Sequence, residues 1–255
     1  MTSSDYHYTY GPVSSRRLGS SLGIDLVPFK TCSYDCIYCQ LGRTTNKTIQ
    51  RKEYIPTIKV MEEVEKRLSG NSPIDYITLA GSGEPTLHSH IGQIIQGIKN
   101  LTSIPIAVIT NGSLLSEAEV QDDLMNADLI IPSLDAGCER IFQKINRPHG
   151  ALNFNSMVDG LRSFRNRFDK SIWLEVFLVS KLNDSAPEID NIADLVKSIN
   201  PDKVQLNTVA RPPAEEYAQA IPIKYLSTIK NIFGVETEVI NKDRKSTRLN
   251  SSHRL

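Results

Sequence analysis

At 255 residues and 40% hydrophobic, the chain is long enough to bury a full core, and α/β barrels of this size commonly form one domain. Twenty-nine basic side chains balance twenty-nine acidic ones, which argues against a protein-wide basic field for gripping nucleic acid. No apolar run is long enough to span a bilayer, the polar residues 1–10 lack the core of a secretory signal, and the four cysteines read as reduced thiols, so cytoplasmic residence is expected.

In chain order, the first strand is predicted over residues 22–27. It leads into three cysteines packed into eight residues, Cys32, Cys36 and Cys39, with Tyr38 immediately before the last. Three thiolates on one short loop can hold an iron-sulfur cubane by three irons and leave the fourth open. Zinc is the competing occupant, but closed zinc sites take four ligands, commonly as two separated pairs, and Cys138 is the only other cysteine. Around this loop, Arg16, Arg17, Lys30, Arg43, Lys47, Arg51 and Lys52 face only Asp25 and Asp35. That local excess reads either as a phosphate-bearing substrate approaching the cluster or as compensation for an anionic cluster and solvated loops.

Val60, Val64 and Leu68 then repeat at helical spacing, with Glu62–Lys66 and Glu63–Arg67 as i,i+4 pairs. A second strand over 76–80 ends in Gly81-Ser82-Gly83-Glu84-Pro85, and Ile91, Ile94, Ile95 and Ile98 form another helical stripe. A third strand over 104–110 closes on Asn111-Gly112. Ser116 with Glu119 reads as a capping box, and a fourth strand over 129–133 closes on Ser133-Leu134-Asp135. The fifth strand, 172–179, is followed by Lys181 and by a second capping box, Ser185 with Glu188, opening a helix through Ile189, Ile192, Leu195, Val196 and Ile199. A sixth strand over 203–207 ends at Asn207. Residues 242–255 are basic without apolar periodicity and read as a disordered or artefactual tail, leaving 1–241 as the core domain.

Repeated strand-then-helix units imply a parallel sheet with right-handed crossovers, and six of them predict a partial (β/α)6 barrel with helices outside. Ligands belong at the carboxyl ends of such strands, where the cysteine loop, the Gly81–Pro85 turn, Asn111, Ser133–Asp135 and Asn207 all fall.

The cysteine triplet with its aromatic residue resembles the signature of the radical S-adenosylmethionine (SAM) enzymes, and the likeness runs over roughly residues 11–213. More narrowly, Ser15-Arg16-Arg17-Leu18-Gly19, Gly23-Ile24-Asp25, Gln40-Leu41-Gly42, Gly83-Glu84-Pro85-Thr86-Leu87-His88 and Arg211-Pro212-Pro213 are similar to a branch of iron-sulfur oxidoreductases related to the wyosine synthases that modify transfer RNA. The resemblance implies a [4Fe-4S] cluster on Cys32, Cys36 and Cys39, with SAM on the open iron and cleaved reductively to a 5′-deoxyadenosyl radical. It implies that Tyr38 lies against adenine, that Gly83 and Glu84 meet the SAM amino group, that Asn111, Ser133 and Asp135 meet ribose or methionine, and that Asn207 helps hold adenine or ribose. Ser82 stands where the first glycine of the family's Gly-Gly-Glu element usually lies. The implied partners are a low-potential electron donor of flavodoxin or ferredoxin type and RNA. Wyosine synthases carry further cysteines ahead of the triplet, and residues 1–31 contain none, so tricyclic-base formation from pyruvate is not implied.

Lys181 is a candidate Schiff-base lysine, against the plainer reading of a solvated charge, and Cys138 a candidate redox or substrate contact, against an inert packing position. His88, His90 and His149 fall near rim loops, where turn and cap roles explain them equally well. The alternatives to an RNA-modifying enzyme are an activase or other protein-modifying radical enzyme, and a non-catalytic zinc- or iron-sulfur-stabilised binding protein.

Overall fold

The structure, a computed structural model, describes residues 7–70 and 72–240; the basic stretch 242–255 lies outside them. In chain order the elements are β1 (Thr9–Ser15), β2 (Gly19–Ile24), β3 (Thr31–Cys32), β4 (Asn46–Lys47), α1 (Thr57–Leu68), β5 (Tyr76–Leu79), α2 (Ile91–Leu101), β6 (Ile106–Thr110) and α3 (Ala118–Leu124). They continue with β7 (Leu129–Pro132), α4 (Glu139–Ile145), α5 (Phe154–Arg167), β8 (Ser171–Leu178), α6 (Ala186–Ile199), β9 (Lys203–Thr208), α7 (Ile223–Ile229) and β10 (Thr237–Val239).

One eight-stranded sheet runs β1-β2-β5-β6-β7-β8-β9-β10. Every pairing from β2 to β10 is parallel and joins strands that are successive in that row, while β1 adds antiparallel to β2. Since β1 and β10 are the two edges and do not pair, the sheet is an open, partial barrel with its helices outside, as the strand–helix repetition predicts. The short ladder of β3 with β4 stands apart and carries the first cysteine.

Strand alternation divides this sheet into two faces. Outward residues such as Ile24, Ile77, Leu79, Val108, Ile130, Leu174, Val176, Val204 and Leu206 join the helix residues Val60, Val64, Ile94, Ile98, Val120 and Ile189 in one buried core. On the inward face Ala107, Leu129 and Ile131 form a separate small cluster with Leu18, flanked by Tyr76, Ile109 and Trp173. Leu18 reaches it from the β1–β2 turn, so this hairpin plugs one end of the lumen. Above the plug the inward positions turn polar, with Ser21 bonded to Thr78 at 2.6 Å and Arg17 in an ion pair with Glu175. On β8 the inward series Trp173, Glu175, Phe177 runs from plug through lumen to cavity wall.

All six predicted strands are present with small shifts at their ends. Two edge strands were not predicted, because β1 is a largely exposed polar run containing glycine and proline, and β10 is only three residues long. Neither expected capping box forms. The residue before α3 is Glu117 and makes no side-chain cap, while Ser185 precedes α6 without a side-chain cap bond and the Glu188 carboxylate accepts the Gly137 N–H at 2.6 Å. A side-chain cap of this kind occurs at Asn153, which accepts the Ser156 N–H at 2.9 Å.

Candidate functional site

The cysteine loop is sewn to two neighbours by its own backbone. Lys30 N–H donates to the Ser82 carbonyl at 2.7 Å and Glu84 N–H to the Thr31 carbonyl at 3.1 Å, which ties the loop to the turn after β5. On its other side Asp35 N–H donates to the Asn146 carbonyl at 3.0 Å and Ile37 N–H to the Ile145 carbonyl at 2.9 Å, at the end of α4. A residue with a side chain cannot replace Gly83, whose Cβ would fall 1.8 Å from the Thr31 carbonyl oxygen.

Cys32, Cys36 and Cys39 all line one cavity of about 300 Å³ at the carboxyl ends of the strands, together with Gly81, Ser82, Gly83, Phe177 and Asn207. Each sulfur has a side-chain nitrogen donor, and the three donors come from different places: Asn111 Nδ2 at 3.5 Å from Cys32, Asn146 Nδ2 at 3.5 Å from Cys36, and the buried Lys30 Nζ at 3.4 Å from Cys39. Burial pushes the Cys32 thiol up to about 12, reinforced by the Glu84 carboxylate, and burial followed by the Asp135 charge drives Cys36 well above the usual thiol range. The bare thiols of Cys32 and Cys36 keep their protons at neutral pH, and ligating a metal would release them.

These residues fit a cubane better than a single ion. Among the described residues no three His, Cys, Asp or Glu side chains converge to hold one metal, as zinc with its bonds of about 2.3 Å to sulfur requires, whereas the corner irons of a cubane call for ligands set further apart. Cys138 is not with the triplet; it precedes α4 and its thiol donates to Glu188 at 3.7 Å. Tyr34 lines the same cavity; its hydroxyl is buried with no partner among the described residues, and burial, then the Cys36 charge, raises it. A buried hydroxyl without a partner is costly, and a cluster sulfur is the acceptor this cavity would offer it.

Several expected SAM contacts are engaged with the protein itself. Glu84 is buried: Oε1 accepts from Thr86 N–H at 3.1 Å, Thr86 hydroxyl at 2.7 Å and Thr110 hydroxyl at 2.6 Å, and Oε2 accepts Asn111 N–H at 2.7 Å. It ties the turn after β5 to the end of β6, and the cavity is walled by Gly81, Ser82 and Gly83 rather than by this carboxylate. Burial raises Glu84 despite those bonds. Asp135 accepts the Tyr38 hydroxyl, Asn146 Nδ2 at 2.7 Å and Phe177 N–H at 3.1 Å, and burial raises it too. Tyr38 stacks on Phe177 with ring centroids 3.9 Å apart and planes 12° apart. Asn111 also bonds Ser33 at 2.8 Å, and Ser133 N–H bonds Thr110 at 3.1 Å. Asn207 does line the cavity and donates to Glu175 at 3.3 Å. Lys181 is exposed on the loop after β8, its N–H bonded to Asp184 at 2.8 Å, and does not line the cavity.

Tyr34, Asn146, Phe177 and Glu175 join the site without having been read from the sequence. Phe177 carried a signal in its period-2 relation to Trp173 and Glu175; Asn146, 110 residues from its cysteine, carried none.

A family model described as the Radical SAM superfamily matches residues 26–196. The chain is 47% identical over 224 residues to a Brachyspira hyodysenteriae protein named GTPase Obg, covering 88% of this chain and 33% of that protein. It is 39% identical over 237 residues to a UPF0026 protein of Methanocaldococcus jannaschii, covering 92% of this chain and 73% of that one. The chain therefore spans a third of the length of the first relative and about three quarters of the second. Among solved structures, Streptococcus suis SuiB bound to S-adenosylmethionine has a TM-score of 0.63 at 12% identity, covering 85% of this chain and 50% of that one, a likeness of fold.

Proposed function

The chain belongs to the radical SAM superfamily and groups with the UPF0026 proteins, and we propose that Cys32, Cys36 and Cys39 hold the superfamily's [4Fe-4S] cluster in an enzyme that acts on a phosphate-bearing substrate, RNA in a wyosine-type modification. The observation that carries the reading is the convergence of all three thiols, each with its own nitrogen donor, on the cavity walled by the Gly81–Gly83 turn. When bound, the cluster and SAM supply reductive cleavage of the sulfonium and a carbon radical that takes a hydrogen atom from substrate.

The chain's own residues divide the remaining work. The backbone carbonyls of Gly81 and Gly83 would accept from the SAM amino group, the Ser82 carbonyl being taken by the Lys30 N–H, and Glu84 acts behind them by fixing Thr110 and Asn111. The stacked Tyr38 and Phe177 rings give an apolar wall for adenine, held at its far side by Asp135. Asn207, the cross-strand partner of Phe177 on β9, offers a polar contact beside that wall. Enclosure by these groups keeps water and other hydrogen donors from a reactive carbon centre. A low-potential donor of flavodoxin or ferredoxin type supplies the electron.

Anaerobic reconstitution with iron and sulfide, followed by reduction with dithionite, tests the reading: wild type converts SAM to 5′-deoxyadenosine, and Cys36→Ala does so at least a hundredfold more slowly. Equal turnover in the two would remove the triplet from the chemistry.

A further inference from the structure

Most of the cations around the cysteine loop have structural work. Arg17 pairs with Glu175, Arg43 with Glu215, and Arg51 with Glu119 and Asp123. Lys47 donates to the carbonyls of Arg147 and Pro148, Lys52 lies 4.9 Å over the Tyr54 ring, and Lys30 donates to Cys39 and to the Gly42 carbonyl. Arg16 remains. It is half-buried on the β1–β2 turn and lines the cavity, and Arg211, on the loop after β9, lines the same cavity. Among the described residues neither guanidinium has an ion pair or a hydrogen bond.

The two are close enough to repel: burial, then the charge of Arg211, lowers the Arg16 guanidinium from its ordinary value. The single carboxylate in the cavity lining, Glu175, is already taken by Arg17 and Asn207. Two like charges facing one cavity without an acid between them cost free energy that an anionic ligand would recover.

We propose that Arg16 and Arg211 form a two-pronged clamp for a phosphate group of the substrate, entering the cavity beside the cluster. Each guanidinium presents a planar fork of donors, and a phosphate has enough oxygens and charge to satisfy two forks at once, whereas one carboxylate edge satisfies one. The clamp deepens the proposed phosphate-bearing substrate and rests on that reading. Its phosphate can come from an RNA backbone or from a free nucleotide.

The test uses the reconstituted holoprotein, with Arg16→Gln and Arg211→Gln made singly, since Arg211 lies on an exposed loop where folding is insensitive to the change. Three probes are titrated: a fluorescein-labelled RNA hairpin, guanosine monophosphate, and SAM. Either arginine lost weakens the phosphate probe at least tenfold and reduces the slope of log affinity against log salt by about one, while the Kd for SAM is the same in all three proteins. Loss on the hairpin alone assigns the phosphate to an RNA backbone; loss on the mononucleotide as well assigns it to a nucleotide. Unchanged affinity for both overturns the clamp, as does a parallel tenfold loss of SAM affinity, which would give the pair to the methionine carboxylate. Wild type that binds SAM but neither phosphate probe sinks the clamp alone; wild type that binds no SAM sinks the reading beneath it.

Discussion

The imidazole of His88 is buried with both nitrogens engaged: Nε2 lies 2.8 Å from the Ile55 carbonyl and Nδ1 accepts the His90 N–H at 3.2 Å. Donating through one nitrogen and accepting through the other requires the neutral ring, and burial accordingly lowers its pKa below the ordinary histidine value. The unfolded chain binds a proton below about pH 6.5 that the fold does not, so this site removes stability as pH falls through that value. His88→Gln, followed by denaturant unfolding between pH 7.5 and 5, is expected to be less stable than wild type at pH 7.5 but to lose less on acidification; equal slopes contradict this. Lys30 makes a second residue-scale prediction. A cation and N–H donor beside Cys39 stabilises the more negative, reduced cluster, so Lys30→Met lowers the cluster's reduction potential in an EPR redox titration, and an unchanged midpoint contradicts the assignment. The meeting of the three cysteines at one cavity was legible because they share one short loop. The bracing role of Glu84 was not legible, since its four donors come from Thr86, Thr110 and Asn111 and only the fold brings the latter two to it.

At the scale of elements, the turn after β5 and the cysteine loop are one unit, joined where Gly83 meets Thr31. Gly83→Ala places a methyl group into that carbonyl, so the loop must move away; the expected result is a folded protein that fails to take up iron and sulfide, seen as loss of the broad absorbance near 400 nm. Gly150→Ala, where a Cβ meets nothing within 4 Å, serves as the neutral control, and equal iron content in both variants contradicts the argument. Parallel strands buried on both faces give continuous apolar runs, which is why β5 to β9 could be read from the chain. The capping boxes could not: Ser185 and Glu188 have the right spacing, but the Glu188 carboxylate accepts the N–H of Gly137, from the connection between β7 and α4. β1 left no apolar trace, and its place is fixed by pairing with β2 and by Glu63, which accepts the N–H groups of His7, Tyr8 and Thr9.

For the molecule as a whole, the open barrel sets an apolar plug at one end of its lumen and the thiols at the other. Leu18 spans from the edge hairpin into that plug at 4% exposure. Leu18→Ala leaves a void between hairpin and sheet, with an expected cost of about 2–4 kcal/mol and a fall in Tm of roughly 5–15 °C. A loss below about 0.5 kcal/mol would show that the hairpin is not part of the core. Six strand–helix repeats, two short of a closed eight-stranded barrel, made the open barrel legible, whereas its two edge strands, β1 and β10, were not. The central claim is that three thiols leave one iron of a cubane free for SAM, and EPR of the reduced, oxygen-free holoprotein tests it most directly. The account predicts a [4Fe-4S] signal whose g-values shift when SAM is added; a cluster signal indifferent to SAM, or bound zinc without sulfide, would contradict it.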